Sequence, residues 1–310
     1  MKKIIALLLL TLLLCTSLPS CGGEASVDDE KLNIVTTSHV VKEWISAVAD
    51  GVEAVDVRLL ADEGKDMHNF QPSAADIRDI KRADIAVYIG GESDKWIEPS
   101  LNGAECASVK LIECIPHAHT AECEGDGHHH DEEGADEHIW LSIKNPAVCV
   151  EKICEALCAK DPENSLAYTA NMNAYNEKLT SVAMAYEEAV SAAEHSAVVF
   201  ADRFPFVYLV NELGLEYYAA FPGCSSETTA SFETIVNLAS KVDMYKLPCV
   251  LVISDSSDTI AATVIENTVD KSARVVTLDS MQVYKGDFSG YIETMLANLE
   301  MLKVALGVNE

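Results

Sequence analysis

From Lys31 onward, short apolar runs rich in β-branched residues alternate with amphipathic segments. Residues 32–37, 54–60, 84–90 and 108–113 read as buried strands, and residues 40–49, 73–82 and 95–102 as the helices between them. That alternation implies a parallel sheet with helices on both faces. Ligands of such sheets bind at the carboxyl ends of the strands.

The texture changes at Asn145-Pro146, which starts a helix; Asp161-Pro162 ends it and caps the next, and from there to Glu194 the chain has no glycine or proline. Leu166, Met172, Leu179, Val182, Tyr186 and Val190 recur at roughly helical spacing. A helix of that length is about 45–50 Å long, enough to run down the side of two lobes and tie them together. The first texture then returns, with strand-like segments at 197–201, 216–220, 248–254 and 274–278 and helix-like ones at 206–213, 231–244, 259–268 and 291–306. The pattern predicts an α/β protein of two lobes, each a four-stranded, mostly parallel sheet flanked by helices, joined by one long rigid helix. The N-terminal lobe is expected over 31–144, with a histidine-rich loop at 115–137, linker helices over 145–195 and the C-terminal lobe over 196–310.

Ahead of the first lobe, Lys2-Lys3, the apolar run from Ile4 to Leu14 and Leu18-Pro19-Ser20-Cys21-Gly22 describe a bacterial signal peptide of the lipoprotein type over 1–21, with a polar tether over 22–30. The apolar run is too short to span a bilayer. Cys21 would become the lipid-modified first residue, anchoring the protein at the extracytoplasmic face of the bacterial cell membrane; the unusual Pro19 leaves simple secretion open.

Charge removes one class of function. With 22 Lys and Arg against 50 Asp and Glu, the formal charge of −28 excludes a nucleic-acid partner and suits a protein that attracts cations. Eight cysteines follow the signal segment: Cys106, Cys114, Cys123, Cys149, Cys154, Cys158, Cys224 and Cys249. They lack zinc-finger spacing, and no disulfide is assigned among them, although an exported protein would permit one.

The chemistry concentrates between His117 and Leu141, where His117, His119, His128, His129, His130 and His138 lie among acidic side chains without strand or helix period. Neutral imidazole is the commonest ligand for borderline divalent metals, so the first five read as an auxiliary metal-collecting loop. The bland alternative is a solvated acidic insertion. His138 differs, because Ile139-Trp140-Leu141 follows at once and fixes it where the loop re-enters packed structure. His68, in Met67-His68-Asn69-Phe70-Gln71-Pro72-Ser73, projects from a short connection that Pro72 stiffens and Ser73 can cap.

These motifs, together with Ala83-Asp84, Gly90-Gly91-Glu92-Ser93-Asp94-Lys95-Trp96, Asp202-Arg203-Phe204-Pro205-Phe206 and Phe221-Pro222-Gly223-Cys224, resemble the solute-binding lipoproteins of zinc and manganese ABC importers over nearly the whole mature chain. The resemblance implies a metal held in the cleft between the lobes and delivered to an ABC permease and its ATPase by a monomeric protein. His68 and His138 match the family's two first-lobe histidines, and Asp279 its ligand at the end of the last strand. The family's remaining ligand falls at Arg203, and a guanidinium cannot bind a metal. Arg203 is expected instead to pair with Asp202 or another cleft carboxylate, with Asp255, a loop histidine or water filling the vacant position. His39 is a further candidate lining residue. Two imidazoles and a carboxylate favour Zn2+, with Mn2+ second. Two rivals remain: a secreted metal-dependent hydrolase, against which no H-E-x-x-H occurs, and a metal-binding adhesin or storage lipoprotein without a permease.

Overall fold

A computed structural model describes residues 31–61, 63–115, 136–223, 229–286 and 288–308. The signal segment with Cys21, the tether, His117, His119, His128, His129, His130, Cys123 and Cys224 lie outside the described residues.

Two parallel sheets form, each of four strands with the same 2-1-3-4 spatial order. The first contains β1 (Leu32–Thr36), β2 (Val55–Leu59), β3 (Ile85–Tyr88) and β4 (Ala107–Lys110); the second contains β5 (Ala197–Phe204), β6 (Glu216–Pro222), β7 (Cys249–Ile253) and β8 (Arg274–Leu278). Helices α1 (His39–Val48), α2 (Ala74–Arg82) and the single turn α3 (Ile97–Ser100) connect the first sheet. In the second sheet α6 (Val207–Glu212), α7 (Phe232–Tyr245) and α8 (Thr259–Glu266) do so, and α9 (Tyr291–Ala305) closes the lobe. Between the sheets run α4 (Asn145–Lys160) and α5 (Ser165–Ser191).

The local causes are readable. Ser73 accepts hydrogen bonds from the backbone N–H groups of Ala75 and Asp76, while the Asp76 carboxylate returns one from Ser73 N, a complete capping box at the start of α2. Pro146 occupies the first turn of α4, where its missing N–H costs nothing. The expected strand over 108–113 stops at Lys110, and Leu111–Cys114 forms a 3-10 turn that buries Leu111. At the head of the second lobe the reverse holds, since β5 continues past Ala201 through a bulge to Phe204, carrying Asp202 and Arg203 with it.

Helix α5 has 27 residues and is therefore about 40 Å long, shorter than expected because Pro162–Asn164 makes a separate 3-10 turn. Its buried stripe is Tyr168, Tyr175, Leu179, Val182, Tyr186 and Ala189, and Leu166 stands 88% exposed. Leu179, Val182 and Tyr186 hold the expected stripe, while Tyr168 and Tyr175 take inner positions where Leu166 and Met172 were expected, their hydroxyls donating to Asp161 and Glu43. One apolar cluster runs from the first sheet through α4 and α5 into the second sheet and α9. The lobes thus share a core, and Trp44 and Trp140 are fully buried within it. The six described cysteines are free thiols, with Cys154 and Cys158 Sγ 3.9 Å apart. No helix among the described residues is long and apolar enough to cross a membrane.

Candidate metal centre

His68 and His138 meet where the carboxyl-end loops of the first sheet face the second lobe. Their ring centroids are 5.4 Å apart. Two imidazoles bound through one nitrogen each to a tetrahedral ion, at about 2.05 Å, place their centroids about 5.2 Å apart. The spacing is therefore that of a pair able to share one cation.

The same local device orients both rings. In Asp66-Met67-His68 and in Asp136-Glu137-His138, the aspartate accepts the backbone N–H of the histidine two residues on, at 3.0 and 2.8 Å. The same carboxylate oxygen faces that histidine's Nδ1, at 2.6 and 2.8 Å. Nδ1 is thereby held as the donor and Nε2 turned toward the cleft, the arrangement by which outer carboxylates prepare a metal-binding imidazole. The D-x-H repeat is present in the sequence, but spacing alone did not disclose its role.

What faces each Nε2 differs. His138, fully buried, has Gln282 Nε2 at 2.8 Å from its Nε2, so the ring accepts there. His68 Nε2 lies 3.2 Å from Glu137 Oε1. His68 thus has a carboxylate oxygen beside each ring nitrogen. Burial pushes the Glu137 carboxyl up, but the hydrogen bond to His68 and the neighbouring His138 outweigh it and hold it down at about 2. Burial acts the same way on Asp66, and its bonds to His68 prevail, leaving it below the usual carboxylate range.

The second lobe clamps this loop pair. Asp66 bridges to Val283, Met67 N donates to Gln282 O and Gly64 N to Tyr284 O. Tyr208 donates to Asp136 O, Trp140 Nε1 to Ser280 O, and Tyr291 to Trp140 O. The buried Trp140 thus joins the lobes directly behind His138.

The other sequence candidates fall elsewhere. Asp279 follows β8, and its Oδ1 accepts Ser254 Oγ and Met281 N; the chain then turns at Met281 with φ 52°, and Gln282 meets His138. Asp279 faces His39 across a cavity of about 210 Å3 also lined by Lys285 and Phe288. His39 packs against Tyr284 and Phe288, its Nε2 has no hydrogen-bond partner, and burial lowers its pKa to about 4, with Asp279 opposing. Asp255 pairs with Lys285 at 2.9 Å. Arg203 Nη1 lies 3.5 Å from Asp66 Oδ2, an ion pair across the cleft. Asp202 is a buried strap, accepting Arg203 N and Ile253 N. Among the described residues, no three His, Cys, Asp or Glu side chains stand together as a ready-made metal site.

Comparison with known proteins gives this geometry a context. The family model described as the periplasmic component A of zinc-uptake complexes matches residues 34–305. The chain is 32% identical to the zinc-binding lipoprotein AdcA of Streptococcus pneumoniae over 98% of its own length and 61% of that relative's. It is 26% identical to the metal ABC transporter substrate-binding lipoprotein SsaB of Streptococcus sanguinis over 99% of both. The Zn(II)-bound ZnuA-like domain of Streptococcus pneumoniae AdcA superposes with a TM-score of 0.71 at 27% identity, over 89% of this chain and 99% of that domain.

Proposed function

The chain belongs to the family of periplasmic A components of zinc-uptake complexes, and from that membership we propose that it captures a divalent metal ion, Zn2+ before Mn2+, outside the cytoplasm and delivers it to a membrane permease of the ABC class. The ATPase of that permease supplies the work, and the binding protein acts as a monomer. Lipidation at Cys21 would tether it to the extracytoplasmic face of the membrane. No reaction is catalysed; the ion is cargo.

The observation that carries this reading is the convergence of His68 and His138, rings 5.4 Å apart, each oriented by its own aspartate. Neutral nitrogen donors suit zinc over magnesium or calcium. Asp279 is assigned to the turn at the end of β8 rather than to the ion, since its Oδ1 is taken up by Ser254 and Met281. The histidines of the loop at 115–137 serve as the collector that raises the local ion concentration.

Titration of the metal-free protein with zinc against a chromophoric chelator tests the reading. One tight site, lost in the His68→Ala, His138→Ala double variant, is expected. Undiminished affinity in that variant would overturn it.

A further inference from the structure

Glu137 stands beside the histidine pair as a buried carboxylate. Its carboxylate is buried with only 7% of the residue exposed, accepts Ser93 N at 2.9 Å and Ser93 Oγ at 2.7 Å, and still turns Oε1 toward His68 Nε2 at 3.2 Å. In a tetrahedral zinc site with metal–ligand distances of about 2.0–2.1 Å, adjacent donor atoms are about 3.3 Å apart. The N–O gap is thus already that of one edge of a coordination tetrahedron, while the ring spacing of His68 and His138 matches a second.

The backbone around it is cut to admit the carboxylate. A Cβ at Gly91 would overlap both the Cβ and the carboxylate of Glu137, so the close approach of the β3 loop to this side chain requires glycine there. Ser93, two residues on, supplies both donors that fix the carboxylate plane.

We propose that Glu137 is a direct metal ligand, an oxygen donor beside His68 and His138 that stands in for the ligand excluded at Arg203. The inference rests on the reading of the cleft as the zinc site and adds to it the identity of the third donor. On binding, the ion enters between His68 Nε2 and Glu137 Oε1 in place of their direct contact, any proton held between them leaving to solvent, and His138 exchanges Gln282 for the metal. The donor set is then two nitrogens and one carboxylate oxygen, all from the first lobe, with the guanidinium of Arg203 on Asp66 closing the cleft wall opposite.

The experiment compares wild type with Glu137→Gln, His68→Ala and His138→Ala, using zinc competition titrations and the visible absorption of the cobalt(II)-substituted proteins. Far-ultraviolet circular dichroism of the metal-free forms checks folding, and Ser93→Ala is a control that keeps the carboxylate. Glu137→Gln is expected to weaken zinc at least 100-fold and to change the cobalt band position or intensity, with Ser93→Ala milder and the cobalt spectrum retained. Glu137→Gln within threefold of wild type, or weakened with an unchanged cobalt spectrum, makes Glu137 at most a positioning residue for His68 and overturns the proposal while the zinc-site reading stands. Full affinity in His138→Ala overturns that reading itself.

Discussion

Replacing Asp136 by alanine isolates the device that orients His138. One carboxylate oxygen serves both the backbone N–H and Nδ1 of His138, each at 2.8 Å. Because His138 is fully buried, water cannot take over at Nδ1. Losing such an outer carboxylate costs about 10–100-fold in metal affinity, or about 1.4–2.7 kcal/mol. The orphaned donor adds a stability loss of about 1–3 kcal/mol to the metal-free protein. Asp66→Ala should cost less stability, since the His68 side chain is 14% exposed and its Nδ1 can reach solvent. Asp136→Asn keeps an acceptor oxygen and should recover much of the loss. Zinc competition titration and thermal unfolding of the metal-free variants measure both effects. Affinity within threefold of wild type in Asp136→Ala, with an unchanged Tm, would refute the reasoning.

Asp279→Asn should leave zinc affinity within about threefold, because an amide oxygen still accepts Ser254 Oγ and Met281 N; a competition titration showing a 100-fold loss would return Asp279 to the ion. Gly91→Ala should destabilise the metal-free protein by about 1–3 kcal/mol through overpacking against Glu137 and weaken zinc as well, read by urea unfolding and titration. His39 is held neutral in the fold with its pKa lowered to about 4 from 6.5, so the unfolded chain binds a proton that the folded one does not. Stability from this group is present above pH 6.5 and is lost as pH falls toward 4, by about 3 kcal/mol. Urea unfolding of the metal-free protein across that range should fall less steeply in His39→Asn.

Most of the architecture was legible because both sheets are parallel and buried on both faces, so each strand reads as a short apolar run between amphipathic segments. Ends were less so. Residues 111–114 are as apolar as a strand yet turn into a 3-10 helix, and the polar Asp202-Arg203 pair continues β5 because the Asp202 carboxylate straps the strand to Ile253 N. The buried stripe of α5 was misplaced at Leu166 because Tyr168 and Tyr175, whose hydroxyls find acceptors only in the folded protein, hold inner positions there.

At the site, His68 and His138 stood out through the motifs around them. Asp279 stood out for the same reason, and after it the left-handed turn at Met281 brings Gln282 to His138. Gln282 carried no signal of its own, and Glu137, beside His138 in the motif, carried none for the metal. The first depends on a long-range turn, and the second on the β3 loop opening at Gly91 and Ser93, far away in the chain.

A crystal of the zinc-loaded protein, with anomalous maps collected at the zinc edge, bears most directly on the central claim. The account predicts one cleft ion within about 2.0–2.1 Å of Nε2 of both His68 and His138. A zinc peak held by other residues, with the two imidazoles still bonded to Glu137 and Gln282, would contradict it.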